Sequence, residues 1–289
     1  MANDMFVTLQ KGLPKQVISR TVGWLTELHG GPLTRVAIRL FIAFFKVDMS
    51  DAERPEVNAY PTFNAFFTRA LAEGARPSSD DPTNVACPAD GTVSQIGTLD
   101  DNRLLQAKGI DYCLEDLLAG DTKWVQRYRG GNFATIYLAP YNYHRVHMPT
   151  NGQPEAMMHI PGALFSVNQQ TVTGLPNLFC RNERVVMHFA TGRHFFAMIM
   201  VGALNVGSIA LTLPTPTPFR NRTGSTYASG MTVDITERMM VRGEEFGRFN
   251  MGSTVIVLTS PELVAWDDNT VCGKSVRVNE TIGHLTGTG

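Results

Sequence analysis

Residues 247–260 read GRFNMGSTVIVLTS and place a Gly-Ser-Thr sequence directly before an apolar, β-branched run. A run of this composition predicts a buried strand, with Ser253 at its entrance. A second Gly-Ser-Thr at 224–226 lies in a polar loop, where glycine and serine are common turn residues, and the Gly-Ser at 207–208 lies inside a predicted strand. Of these three serines, Ser253 is the one that directly precedes a predicted buried strand, which favours it as a candidate nucleophile.

The chain from about residue 85 onward has the same β-rich texture. Short runs separated by Gly, Pro and Asn alternate with one or two short helices. The runs are GTVSQIG, FATIYLA, RVVMHFA, FFAMIMVGALNVGSIALTL, MTVDI, STVIVLTS and KSVRV, and the helices lie near CLEDLLAG and TKWVQRY. This spacing predicts an α+β fold with a mainly antiparallel, barrel-like β-sheet core. Residues 213–230, rich in Pro, Thr and Arg, predict a long surface loop.

Three amphipathic helices are predicted before this region, over residues 5–29, 33–45 and 62–71, with Thr62 as N-cap of the third. Residues 1–46 carry a surplus of four positive charges. One interpretation is that these helices cover the core of the same domain. The other is that they associate with a membrane, because basic faces beside Trp, Phe and Leu favour anionic headgroups. The chain then divides into a helical region, 1–70, and a β-rich catalytic domain, 71–289.

The composition excludes several classes of protein. A formal net charge of −1 over 289 residues gives no reason to expect nucleic acid as a partner. The four cysteines are far apart and form no CxxC pair, which argues against a zinc site or a disulfide framework and favours a reducing compartment. The start lacks the pattern of a signal peptide, and the most apolar window, residues 36–45, is too short to span a bilayer.

Two further segments carry residues that suit a nucleophilic reaction at Ser253. CPADGTV places Asp90 at the entrance to a strand, and APYNYHRVHMPTNG holds His144 and His147 after the strand FATIYL. Serine, histidine and aspartate from three segments can converge as nucleophile, base and orienting group. Each also has a structural explanation, because Asp before Gly is a common turn residue and Ser253 is suited to capping a strand entrance.

The other polar signals are weaker. His144 and His147 have the HxxH spacing of half a metal site, but no acidic or Cys partner lies nearby, so no metal is predicted. His159, His188 and His194 are expected on strands or at the surface. A serine hydrolase of the α/β type is disfavoured because the chain has no GxSxG sequence.

Seven motifs, in order along the chain, resemble those of phosphatidylserine decarboxylases of the bacterial, membrane-associated type. They are PADGTVSQIG, LLQAKG, YHRVHMPTNG, PGALFSVN, PNLFCRNERV, VGALNVGSI and GEEFGRFNMGSTVIVL. The resemblance runs from the N-terminal helices to about residue 260. It departs from the family at Met251, where the family commonly has Leu, a volume-conserving change. Residues 213–230 and the tail after 265 show no match.

The resemblance implies a proenzyme that cuts itself between Gly252 and Ser253 into a β chain, 1–252, and an α chain, 253–289. Ser253 Oγ would attack the Gly252 carbonyl, which converts the Gly252–Ser253 amide to an ester. Elimination of the ester would release the β chain and leave dehydroalanine, whose imine form would hydrolyse with loss of ammonia to a covalent pyruvoyl group. This group serves as an electron sink, as pyridoxal phosphate does elsewhere. It would form a Schiff base with the amine of phosphatidylserine, release CO₂ and yield phosphatidylethanolamine.

The resemblance also implies roles for individual residues. Asp90, His147 and Ser253 form a self-processing triad in which His147 is the base and Asp90 orients it. His144 and Ser166, from LFSVN, resemble family positions of substrate binding and decarboxylation. The implied enzyme binds peripherally to the cytoplasmic face of the cell membrane, acts on phosphatidylserine in an anionic membrane and forms a homodimer of αβ pairs.

Two other functions fit the same residues. A lipid acyl hydrolase with the same Asp-His-Ser set would keep an intact chain of 289 residues with a free Ser253 hydroxyl. A non-catalytic lipid-binding β module would use the Gly-Ser-Thr only as a strand cap. The mass of the purified protein distinguishes the decarboxylase from both, because only the decarboxylase predicts a cut.

Overall fold

The computed structural model describes residues 15–107, 110–203, 208–213, 238–250 and 254–286. Met251, Gly252 and Ser253 lie outside the described residues, and so do Ser225 and the strand predicted in MTVDI. The start of the first predicted helix, before residue 15, lies outside them as well.

Short strands dominate the chain after residue 83. Their bounds are β1 Asn84–Ala86, β2 Gly91–Thr98, β3 Arg103–Ala107, β4 Ile110–Cys113, β5 Asn132–Tyr137, β6 Arg145–His147, β7 Gln153–Ile160, β8 Arg184–Thr191, β9 His194–Val201, β10 Ile209–Leu211, β11 Glu245–Phe249, β12 Thr254–Thr259, β13 Val264–Trp266, β14 Ser275–Val276 and β15 Thr281–Leu285. The continuous apolar runs of the sequence form β5, β8, β9 and β12, and β12 buries all six of its residues. Strands that are apolar on both faces belong in a sheet covered on both sides.

The helices are short except for the first two. Their bounds are α1 Lys15–Thr26, α2 Pro32–Phe45, α3 Phe63–Phe67, α4 Leu114–Leu117, α5 Thr122–Tyr128, α6 Gln169–Gly174 and α7 Leu178–Arg181, with a 3₁₀ turn at Val57–Ala59. Thr62 caps α3 as predicted, accepting a hydrogen bond from Ala65 N at 3.0 Å. The helix predicted over 62–71 ends at Phe67, because the backbone of residues 70–72 pairs with residues 51–53 instead.

The first two helices present an apolar side to solvent. Ile38 of α2 is fully buried and packs with Phe66 of α3 in a small core of its own. On the outside of α2, Leu33 and Phe44 are among the most exposed apolar side chains of the described chain. Among the described helices, none is both long and apolar enough to cross a bilayer.

The central sheet has seven strands in the order β14-β2-β5-β12-β9-β8-β7, and each neighbouring pair is antiparallel. β12 lies in the middle, where Thr254 pairs with Tyr137 of β5 on one side and Val201 of β9 on the other. Two smaller sheets, β1-β15-β13 and β10-β11-β6, and the hairpin β3-β4 complete the described strands. The mainly antiparallel α+β class is therefore confirmed.

The barrel-like closure expected from the sequence is wrong. Within the described ranges, β14 and β7 are the edges of the central sheet, and no ladder joins them. One face packs against the helical layer of α4 to α7, and the other packs against the two small sheets. Since each face is buried by a separate layer, the sheet does not have to curl around one interior.

Candidate functional site

Four strands of the central sheet meet at one edge, around Thr254. Thr254 is the first residue of β12, and its partners Tyr137 and Val201 are the last residues of β5 and β9. Thr92, the second residue of β2, also pairs with Tyr137. Thr254, which follows Ser253 in the sequence, therefore lies on the middle strand of the sheet. It lies at the side of the sheet where β2 begins and where β5 and β9 end, and this strand-end side is the edge meant below.

Asp90 lies at this edge, directly before β2, and is almost fully buried. Its carboxylate accepts two hydrogen bonds from Arg76, from Nε at 3.1 Å and from Nη2 at 2.6 Å, and a third from Val278 N at 2.8 Å. The pKa of Arg76 is raised, and its hydrogen bonding to the Asp90 carboxylate is the largest cause. The carboxylate is thus fixed by a bidentate ion pair with Arg76.

His147 lies at the end of β6, and its backbone N–H donates to the carbonyl of Pro88, two residues before Asp90. Its ring is held by Gly243 O, 2.8 Å from Nδ1, and by Tyr143 Oη, 3.0 Å from Nε2. A carbonyl oxygen only accepts, so Nδ1 carries the proton and Nε2 keeps its lone pair. Burial lowers the pKa of His147, which keeps the ring neutral near pH 7.

The side chains of Asp90 and His147 do not bond to each other, although their segments are neighbours. The carboxylate of Asp90 bonds to Arg76 and Val278, and the carbonyl of Gly243 occupies the position on Nδ1 that the predicted triad gives to Asp90. The charge of Asp90 still acts on the histidine, because it opposes the lowering of the pKa of His147 by burial. Asp90 thus acts on His147 through its charge, and the backbone hydrogen bond between His147 and Pro88 keeps the two segments adjacent.

His144 directly precedes β6 and is completely buried. Its ring stacks on Phe67 with centroids 4.0 Å apart, and Nε2 lies 3.4 Å from Pro140 O. Nδ1 has no hydrogen-bond partner among the described residues. Burial lowers the pKa of His144 to about 3, so the ring is neutral and offers one unpaired nitrogen.

Phe249 and Thr254 both lie near this edge of the sheet. Phe249 N donates to His144 O at 3.0 Å, which brings the residues that lead into Met251, Gly252 and Ser253 against the His144 segment. On the other side of the undescribed residues, the hydroxyl of Thr254 is buried without a described partner. The unpaired polar atoms on His144 and Thr254 mark this edge as a place for a polar group.

Ser166 lies in the loop between β7 and α6, and its Oγ accepts a hydrogen bond from Asn168 N at 3.4 Å. The preceding residue, Phe165, is tied by backbone N–H and C=O to the side chain of Asn182, which also donates to Gly202 O at 2.8 Å. Gly202 directly follows Val201, the partner of Thr254. The Ser166 loop therefore borders the same edge of the sheet.

Asn250 is a site residue that the sequence analysis did not single out. Its N–H donates to Ser208 O at 3.0 Å, and its Nδ2 donates to Ser208 Oγ at 2.5 Å. Asn64 Nδ2 donates both to Asn250 Oδ1 at 3.1 Å and to Glu27 Oε1 at 2.9 Å. Asn250 is thus anchored two residues before Gly252. The sequence signal that could have identified Asn250 is its position within RFNMGST, three residues before Ser253.

Some details of the sequence analysis change at this site. Ser208 directly precedes β10 and does not lie inside it, and its carbonyl accepts a hydrogen bond from Asn250 N. His159, His188 and His194 lie on β7, β8 and β9, as expected of strand histidines. All four cysteines are free, and no cluster of three or more metal-ligating side chains occurs in the described part of the chain.

The chain matches two models of protein families. A family model described as phosphatidylserine decarboxylase matches residues 63–284, and a model described as PSD matches residues 5–46. The first match continues well past residue 265, where the sequence motifs had shown no resemblance.

Curated relatives match over nearly the whole chain. The phosphatidylserine decarboxylase proenzyme of Sodalis glossinidius is 44% identical, covering 98% of this chain and 97% of its own length. The corresponding proenzyme of Ectopseudomonas mendocina is 42% identical, covering 98% and 99%, and that of Escherichia coli O9:H4 is 44% identical, covering 90% and 81%. The chain therefore belongs to the phosphatidylserine decarboxylase family.

Proposed function

We propose that this protein is a pyruvoyl-dependent phosphatidylserine decarboxylase, made as a proenzyme that cuts itself between Gly252 and Ser253. One observation carries the proposal. The segments to which the family resemblance assigns the reaction, those of Asp90, His147, His144 and Ser166, all border the edge of the sheet where Thr254 begins β12. A pyruvoyl group at residue 253 suits this edge, since two buried polar atoms there have no described partner.

His147 is the base of the self-cleavage in this proposal. Its Nε2 holds the lone pair, because Nδ1 donates to Gly243 O, and its lowered pKa keeps that lone pair available near pH 7. Tyr143 donates its hydroxyl proton to the Nε2 lone pair in this structure, so this hydrogen bond gives way before the transfer. The proton of Ser253 Oγ then passes to Nε2 as Oγ bonds to the Gly252 carbonyl carbon. The C–N bond between Gly252 and Ser253 breaks, and His147 returns the proton to the freed nitrogen, which leaves an ester.

Asp90 supports the base without touching it. Its carboxylate binds Arg76 of the β chain and Val278 N of the α chain, so it joins the two products of the cut. Its negative charge favours the imidazolium form of His147 that self-cleavage creates. We therefore assign Asp90 the support of the triad by charge and position, and Gly243 the direct orientation of the ring.

His144 handles the proton of the decarboxylation. The pyruvoyl group supplies an electrophilic carbonyl that accepts the electrons released with CO₂. The substrate's carboxylate raises the pKa of His144 when it binds nearby, so the unpaired Nδ1 takes up a proton. Once CO₂ has left, that charge is gone and the apolar surroundings favour the neutral ring again. His144 then delivers the proton to the carbon that lost CO₂, and Ser166 contributes a hydroxyl for substrate binding.

The membrane contact comes from α1 and α2. Leu33, Val36, Leu40 and Phe44 are exposed on α2, at a spacing that places them on one helical face. Trp24 is exposed on α1. Together with the surplus of four positive charges over residues 1–46, this surface suits an anionic bilayer, which we assign to the cytoplasmic face of the cell membrane.

The two chains stay together after the cut in this proposal. β12 of the α chain forms ladders with β5 and β9 of the β chain, and β14 forms one with β2. We also propose the homodimer of αβ pairs, which sedimentation equilibrium of the purified protein would test.

Intact mass and lipid analysis test the function together. The purified wild type is expected as two chains, 1–252 and 253–289, the shorter with a carbonyl at its N-terminus, and it converts phosphatidylserine into phosphatidylethanolamine. His147→Ala remains mostly precursor, whereas His144→Ala is cut but does not decarboxylate. His29→Ala, at an exposed position, is the control and behaves as wild type. An uncut wild-type chain would contradict the proposal, and so would a cut chain that forms no phosphatidylethanolamine.

A further inference from the structure

A cavity of about 220 Å³ lies beside α3, outside the edge at which β12 begins. Three arginines line it, Arg54, Arg69 and Arg145, together with one carboxylate, Glu53. Nothing in the proposed self-cleavage or proton transfer uses these arginines. The cavity is therefore a cationic site that needs its own explanation.

Arg69 is the arginine with the least compensation. It is 5% exposed, and its guanidinium donates only a long hydrogen bond, from Nη2 to Tyr141 O at 3.4 Å. It lies 5.5 Å from the ring of Phe66, and within the described ranges no carboxylate comes within ion-pair distance of it. Burial lowers the pKa of Arg69, yet a guanidinium stays protonated. A buried charge without a counter-ion favours the entry of an anion.

The other two arginines differ in how much charge they can offer. Arg145 is paired with Glu245 at 2.8 Å and donates to Thr68 O at 2.9 Å, so it mainly shapes the wall. Arg54 is exposed and lies 3.9 Å from Glu53, which is also exposed. Exposed pairs of this kind are weak and leave the side chain free to move toward a ligand.

The cavity is a direct neighbour of His144. Arg69 bonds to Tyr141 O and His144 lies against Pro140 O, so the two side chains contact consecutive carbonyls of one loop. They also contact consecutive aromatic residues, because Arg69 lies over Phe66 and His144 stacks on Phe67. A ligand bound to Arg69 would thus lie next to the loop and the helix that hold His144, the proposed proton donor.

We propose that this cavity binds a phosphoryl group, with Arg69 as the buried cation and Arg54 as the cation at the rim. A tetrahedral anion with several oxygens suits guanidinium groups that approach from different sides, and arginine binds such oxygens in a bidentate manner. The source we assign is the phosphodiester of the substrate's own headgroup, an assignment that rests on the proposed decarboxylase function. The phosphodiester would then hold the headgroup beside His144.

Inorganic phosphate is the first probe, because its binding does not depend on catalysis. We expect the wild type to bind it by isothermal titration, and Arg69→Gln to bind it at least about tenfold more weakly, as for the loss of a charged hydrogen bond. Arg103→Gln removes an equally positive but exposed side chain that pairs with Asp111, and it should bind phosphate like the wild type. Wild-type protein that binds no phosphate would overturn the proposal, as would equal binding by Arg69→Gln.

Kinetics with soluble dihexanoyl phosphatidylserine distinguish the two sources of the phosphoryl group. Arg69→Gln, once shown to be cut like the wild type, should raise KM at least about tenfold with a much smaller change in kcat, and phosphate should compete with the wild type's substrate. If Arg69→Gln weakens phosphate binding but leaves KM unchanged, the ligand is free phosphate and the lipid assignment is wrong. A wild type that binds phosphate but does not decarboxylate phosphatidylserine would refute the proposed function. The assignment of a phosphoryl ligand to the cavity would still hold.

Arg54→Gln provides a second test of the proposal in case the buried variant, Arg69→Gln, does not fold. Arg54 is exposed, so its replacement should leave the fold and the cut unchanged. It should weaken phosphate binding a few-fold. If Arg69→Gln does not fold, phosphate affinity unchanged in Arg54→Gln overturns the proposal.

Discussion

The centre of the sheet and the N-terminal helices treat apolar side chains in opposite ways. β12 buries all six of its residues between β5 and β9. α2 leaves Leu33 79% and Phe44 80% exposed, although burying such a side chain would stabilise the fold by about 1.5–3 kcal/mol. Apolar content alone therefore does not define a core. One region uses it to hold the chain together, and the other leaves it exposed, as the proposed membrane contact requires.

Shortening one side chain in each region should have very different effects on stability. Ile256→Ala, at a fully buried position of β12, should lower the free energy of unfolding by about 2–5 kcal/mol, because it leaves a cavity in the middle of the sheet. Leu40→Ala, on the exposed face of α2, should change it by less than about 0.5 kcal/mol. Urea unfolding in the uncut Ser253→Ala background measures both. Equal losses would show that the α2 face is buried in solution.

The split between these regions shows what the sequence can predict. β5, β8, β9 and β12 were predicted because each is a continuous apolar run. β7 was not, since it contains Pro154 and Glu155 and pairs only with β8 at the edge of the sheet, where proline is tolerated. Exposed and buried apolar helices look alike in sequence, so only the packing of Ile38 against α3 tells the two sides of α2 apart.

The candidate site was likewise only partly predictable from the sequence. Its segments were identified from motifs, and the fold brings those segments to one edge of the sheet. The partners within it were not predicted. Gly243 bonds to His147 through a backbone carbonyl, which every residue has, so no side-chain pattern could reveal it. Arg76 is fourteen residues from Asp90 and outside all seven motifs, so its ion pair emerges only from the folded chain.

The exposed apolar face of α2 should contribute to membrane binding and little to folding. Replacing Leu33, Leu40 and Phe44 by Ser should weaken binding to vesicles of anionic phospholipid by about 100-fold, because the apolar area that enters the interface is lost. Co-sedimentation with the vesicles measures the loss. Val271→Ser, at an exposed apolar position of the β-rich part, is the control and should bind like the wild type. Turnover of soluble dihexanoyl phosphatidylserine should be unchanged in the triple variant, and vesicle binding at wild-type strength would refute the membrane role of α2.

The third and smallest effect concerns charge in the sheet. His188 of β8 is 1% exposed, and burial lowers its pKa to about 3. Below the unfolded pKa of about 6.5, the unfolded chain binds a proton that the folded chain does not, so stability present at neutral pH is lost as pH falls toward 3. From pH 6 to pH 5 this group should lower the free energy of unfolding by about 1 kcal/mol.

His188→Gln isolates that contribution. It keeps a polar side chain near Tyr128, the hydrogen-bond partner of His188, and removes the titrating ring. Urea unfolding of the uncut Ser253→Ala protein at pH 6 and pH 5, with and without His188→Gln, gives the two slopes. The variant should lose about 1 kcal/mol less over this interval, whatever its stability at neutral pH. Identical slopes would mean that His188 is accessible to protons in the folded state.

The central position of β12 has a thermodynamic consequence if the chain is cut as proposed. Its unfolding would release two separate polypeptides, since residues 254–259 are hydrogen-bonded to β5 and β9 on either side and leave only when both ladders break. Refolding then becomes a second-order reaction between unequal partners. The midpoint of thermal unfolding should therefore depend more steeply on protein concentration once Gly252 and Ser253 are disconnected than while they are joined. A single peptide bond thus decides whether each protomer refolds from one chain or from two.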